Sequence, residues 1–155
     1  MTNWRPLLEK YLSHSRAFAI GPPPPASNED LAALAAQADA LGLDIDPEIT
    51  ALLTLANGTS FDSLRFYGAN IGEDDELGRL DFHQANVLVE ERGDDTLFGE
   101  WQDEFFVSVR ATGKFARRSK VTGDEYQTYA TCGELIFAVL KQECDLLDDK
   151  FPEGK

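Results

Sequence analysis

Histidine, cysteine and methionine are scarce in this chain. Two histidines (His14, His83), two cysteines (Cys132, Cys144) and one methionine occur in 155 residues. So few candidates give no readable Cys-His-Asn or Ser-His-Asp arrangement. Two cysteines do not make a disulfide framework. They lie 12 positions apart, too far along one helix to bridge, and read as buried free thiols. His14, in Ser13-His14-Ser15, reads as a solvated helix end; His83 reads as a surface histidine or a pH-sensitive contact. No segment approaches the ~20 consecutive apolar residues that span a membrane. Residues 1–6 carry no apolar signal-peptide run, so a cytoplasmic location is the expectation. Gly68, Gly72 and Gly78 are scattered and lack the lysine of a phosphate-binding loop.

Positive charge is the other shortage. Fourteen basic residues face 28 acidic ones, for a net charge of −14. Such a chain repels phosphate backbones, which argues against direct nucleic-acid binding. It can attract a basic protein and speed the encounter. The charge is uneven. Residues 70–104 hold 12 acids and two bases, Arg79 and Arg92, whereas residues 105–122 hold five bases and no acid. The run Glu73-Asp74-Asp75-Glu76 has calcium-type donors. It lacks the alternating acids and central glycine of a calcium loop, so neither metal nor cofactor is expected.

The length suits one domain, 1–155, that removes roughly 70% of its unfolded surface from water. Trp4, Leu7, Leu8, Tyr11 and Leu12 predict a helix over 3–14, followed by a stiff proline connector at 21–25. Ser27 is a natural N-cap for a helix over 28–41, whose acidic first turn suits the helix dipole. Asp46 caps a second helix over 47–56 with Pro47 at its first position, and Asn57-Gly58 ends it. A strand is expected over 61–67, a short helix or turn near 82–89, and strands over 96–101 and 104–110. In the last, Phe105, Val107 and Val109 share one face and Phe106, Ser108 and Arg110 the other. A turn at 111–114 returns the chain as a basic strand over 115–120, read as a sheet edge. A helix over 132–147 closes the domain, and residues 148–155 read as a frayed tail. The expected class is α+β, a central antiparallel sheet flanked by helices. Trp4, Leu34, Leu52, Leu53, Phe66, Val107, Leu135 and Val139 are the expected core.

One stretch carries more than fold. Pro25-Ala26-Ser27 opens a helix, Leu41-Gly42 precedes a proline-started helix, Asn57-Gly58 stops it, and Leu64-Arg65-Phe66-Tyr67-Gly68 follows as a short strand. This pattern resembles the SUKH superfamily, the fold of fungal cell-wall-synthesis regulators and of many bacterial immunity proteins. Asp46 stands where family members often carry an apolar residue, and Ile45 takes that role one place earlier. The resemblance covers residues 25–68 and implies a single SUKH-like domain that binds a protein rather than an enzyme. It implies a cytoplasmic antitoxin that neutralises one cognate polymorphic toxin, often a nuclease. The alternative is a regulatory or scaffold module unrelated to toxins.

A nuclease needs a basic surface, which an acidic inhibitor can cover. The candidate partner-binding residues are Glu73, Asp74, Asp75, Glu76, Asp94, Asp95, Glu100, Asp103 and Glu104. Trp101, lying among them, is either an interface anchor or a core residue. The two acidic segments flank strands and are expected to converge at one end of the domain.

Overall fold

The computed structural model of the chain describes residues 3–17, 22–73 and 75–150. Its helices are α1 (Arg5–Ala17), α2 (Asn28–Ala40), α3 (Pro47–Leu53), α4 (Phe82–Leu88) and α5 (Cys132–Lys150). Its strands are β1 (Leu64–Phe66), β2 (Thr96–Trp101), β3 (Glu104–Val109), β4 (Lys114–Ser119) and β5 (Glu125–Tyr129). The strands form one sheet in the order β1-β2-β3-β4-β5, every neighbouring pair antiparallel. The chain is therefore α+β, as its sequence pattern predicts.

Local chemistry sets the helix starts. The Ser27 hydroxyl accepts from the Asp30 amide at 3.0 Å, and the Asp30 carboxylate accepts from the Ser27 amide at 3.0 Å. This reciprocal pair satisfies two backbone donors that a helix start leaves open. It also holds the Asp30 carboxyl below its ordinary value, the Ser27 amide being the main cause. Ser27→Ala is expected to cost about 1 kcal/mol in urea melts. No loss would mean that water replaces the cap. Asp46 caps α3 in the same way, accepting from the Glu48 amide, with Pro47 in the first turn.

Cross-strand register defines two faces of the sheet. Phe66, Gly99, Phe106, Arg117 and Gln127 stand opposite one another in one row, and Arg65, Glu100, Phe105, Arg118 and Glu125 in the next. Adjacent rows face opposite sides. The first row faces α5, which packs beside α1 and against α3. Phe66 and Phe98 each lie within about 6 Å, centroid to centroid, of the Phe106 ring. Gly99 makes room between them: a Cβ there would stand 2.6 Å from the Arg65 carbonyl oxygen and 2.7 Å from the Phe106 ring. All eight expected core residues are buried, as are both cysteines, which are free thiols.

Several expectations change. Helix α3 ends at Leu53 with Thr54 as its C-cap, three residues short of the expected 56. The strand before Tyr67 is only three residues long, because Asp62 adopts a left-handed backbone (φ 58°) and breaks the extension. The basic strand β4 is interior, not an edge, because β5 pairs along it. Strand β5 escapes sequence reading because four of its five residues are exposed and show no alternation. Residues 148–150, read as tail, complete α5, where Asp148 accepts from Lys10 and pairs with His14 at 3.1 Å. His14 is thus a half-buried helix-helix contact rather than a solvated end. Gly21 of the connector and residues 151–155 of the tail lie outside the described residues.

Candidate partner-binding face

The face of the sheet turned away from α5 carries an open groove of about 770 Å³. Its floor is Leu97, Phe105 and Arg118. One bank is the end of α4 and the turn after it, from Leu88 to Arg92; the other is the β4–β5 turn, from Ser119 to Glu125. Asn86 docks α4 here, its amide bonding both the N–H and the carbonyl of Leu97 at a bulge in β2. The banks end in two aliphatic side chains without cover, Leu88 at 76% and Val121 at 82% exposure.

The cations of the groove are already occupied. Arg118 Nη2 donates to Asp95 and to Glu125, each at 2.8 Å. Lys120 Nζ donates to Glu100 at 2.8 Å and lies 5.1 Å from the centroid of the Phe105 ring. Glu100 also accepts from the buried Tyr67 hydroxyl at 2.8 Å, and burial pushes that phenol far above its ordinary value. Arg92 spends its guanidinium on the backbone carbonyls of Asn86, Gly93 and Asp95. Glu91 and Asp124 line the groove, Glu90 and Asp94 stand next along the chain to residues that line it or pair into it, and Asp103 stands two positions before Phe105; all five are exposed and pair with no cation among the described residues. The margin is therefore acidic and unpaired around a charge-balanced, partly apolar floor.

Sequence reasoning placed some of these groups. Asp95 and Glu100 reach the groove only as internal ion-pair partners of Arg118 and Lys120, and Asp94 and Asp103 are exposed without lining it. Glu104 and Trp101 are on the opposite face. Glu104 is buried against Arg117, whose guanidinium lies 5.7 Å from the Trp101 ring centroid, and the Trp101 Nε1–H donates to Glu143 of α5 at 3.4 Å. Glu104, expected at a partner surface, is instead buried in an ion pair, and Trp101 takes the second of its two expected roles, packed half-buried against the core. Asp75 is likewise occupied, receiving three hydrogen bonds from Arg79, which holds its carboxyl below the ordinary value. Glu73 and Glu76 are exposed in the same loop, and Asp74 lies outside the described residues. Leu77 and Arg79 tie this loop to Ser60 and Asn57. Among the described residues it shares no hydrogen bond or ion pair with residues 94–104.

Leu88, Glu91, Phe105, Val121 and Asp124 were not anticipated. A signal existed for two of them: Val121 is a lone aliphatic in a polar turn, and Leu88 ends a helix too short to bury it.

Among the described residues no three His, Cys, Asp or Glu side chains are grouped to hold a metal ion, and no helix is long and apolar enough to cross a membrane. Burial pushes the Cys144 thiol up to about 11 and Cys132 higher still, which leaves both as thiols at neutral pH. No family model, curated protein or solved structure matches the chain. Fold and face together define a single α+β domain whose open side is an acid-rimmed groove.

Proposed function

We propose that this chain is an immunity protein of the SUKH type. It acts in the cytoplasm, binds one cognate toxin, basic and a nuclease, and covers the surface that the toxin uses to hold nucleic acid. No residue of the chain need be catalytic. The observation that carries the reading is the groove margin, where unpaired carboxylates gather while the cations that line it, Arg92, Arg118 and Lys120, each have an internal partner. An excess of free acid on one face steers a basic protein toward that face.

Two of the motif residues behind the resemblance, Asn57 and Gly58, support it by the contacts they make. The buried Asn57 side chain bonds the N–H and carbonyl of Ala69 at 2.7 and 2.9 Å. Gly58, at φ 89°, backs onto Gly68, whose Cα would stand 3.2 Å from an added Cβ. Asn-Gly is thus the joint that ties the segment after α3 to residues 68–69, just past β1.

Co-expression with a toxic nuclease encoded beside its gene should restore growth. The charge-reversed protein Glu91→Lys, Asp94→Lys, Asp103→Lys, Asp124→Lys should associate with that toxin at least about tenfold more slowly at low salt, the gap closing as salt rises. Full protection and unchanged association by the reversed protein would refute the proposed face.

A further inference from the structure

We propose that the groove seats an aliphatic side chain of the partner that is flanked by lysine or arginine, gripped between Leu88 and Val121 over Phe105. This rests on the reading that the acidic face meets a basic protein, and it assigns the source of specificity within that face. Exposed carboxylates attract any basic surface and discriminate poorly among them. Discrimination needs a desolvated apolar contact inside a polar rim.

The groove has that anatomy. Leu88 and Val121 are among the most exposed large apolar side chains of the described residues, and they stand on opposite banks of one groove. Phe105 lies between them, partly covered and bearing Lys120 on its ring. The free acids Glu91 and Asp124 line the same two banks. An apolar side chain between the banks therefore places its neighbours along the chain beside carboxylates. Lysine or arginine at those neighbours completes the contact.

Two other occupants fit less well. An acidic ligand would need free cations, yet Arg118 is held between Asp95 and Glu125 and Lys120 is held by Glu100. A second copy would bring a net charge of −14 against its like.

The test uses the full chain and three synthetic peptides of equal length: lysine with leucine, lysine with serine, and glutamate with leucine. Amide chemical shifts and affinities are followed at low and high salt. The lysine–leucine peptide should shift the amides of Leu88, Phe105 and Val121. It should also bind at least about tenfold tighter than the lysine–serine peptide. The Leu88→Ser, Val121→Ser protein should lose that difference; both positions are exposed, and a thermal melt checks that its fold is intact. Equal affinity for the two lysine peptides, with shifts spread along the acids, would overturn the apolar seat and leave the charged face standing. Binding by neither lysine peptide would overturn both. Preferential binding of the glutamate–leucine peptide at the same amides would overturn the charge assignment. Shifts at Leu88 and Val121 that follow protein concentration without peptide would mean that the groove is a self-association surface, which also overturns the proposal.

Discussion

Arg117→Ala is expected to lower the unfolding free energy by about 3–5 kcal/mol. Arg117 and Glu104 are both buried, and their side chains pair on the face beneath α5. Deleting the guanidinium leaves a carboxylate in a dry site with no opposite charge. That penalty, rather than the lost attraction, makes the single substitution severe. The cation also lies over Trp101, so a smaller contribution from the ring is lost with it. Removing both charges should be far milder. Arg117→Met with Glu104→Leu fills similar space and strands no ion, so its stability should fall within about 1 kcal/mol of the wild type or exceed it. Urea melts of the two single variants and the double variant decide the matter. A cost below about 1 kcal/mol for Arg117→Ala would mean that Glu104 is solvated and free to meet a partner.

That result bears on how far the sequence could be read. Capping chemistry is local, so Ser27 and the Asp46-Pro47 pair announced α2 and α3 from the residues alone. The β3–β4 hairpin was equally legible, because alternation ran up to a turn whose glycine takes a left-handed backbone (Gly113, φ 69°). Ion pairing was not legible. Residues 70–104 looked acidic and residues 105–122 basic, as two separate patches. The sheet lays part of one on the other: Asp95 meets Arg118, Glu100 meets Lys120 and Glu104 meets Arg117. What remains for a partner is the remainder after this cancellation, and only the register reveals it. The apolar half of the groove was hidden for a similar reason. A single valine in a turn acquires meaning only when a helix end comes to stand opposite it.

One internal charge could have been noticed. Val139, Glu143 and Leu147 recur at intervals of four, so Glu143 lies on the buried stripe of α5. Its side chain is fully buried. Oε2 accepts from the Trp101 Nε1–H, while Oε1 meets no donor. The Asp62 carboxylate is its neighbour, itself held by Lys150 at 3.4 Å. A proton on Glu143 supplies the missing donor, directed at Asp62. Burial first, and then Asp62, push the Glu143 carboxyl up from its ordinary 4.5 to about 7. The Asp62 carboxyl moves the other way, chiefly because Glu143 donates to it.

The consequence is an unusual stability profile for an acidic protein. The raised group contributes stability that is complete below about pH 4.5. That contribution is lost as pH climbs through about 7, because the unfolded chain releases a proton that the fold retains. The lowered Asp62 contributes above its ordinary 3.8, and that contribution is lost as pH falls below it. Together they place this pair's optimum near pH 4–5. Above that optimum comes a decline on the order of 2–3 kcal/mol by pH 8. Glu143→Gln keeps the shape, can donate to Asp62 and carries no titratable proton. It should match the wild type near pH 5 and exceed it at pH 8 by on the order of 2–3 kcal/mol, as read from urea melts at pH 5, 6.5 and 8. Because Glu143 lies under the face opposite the groove, toxin affinity at pH 8 should be unchanged by the same substitution. Parallel stability curves for the two proteins across this range would show that Glu143 is ionised in the fold, and that Asp62 and Lys150 accommodate its charge.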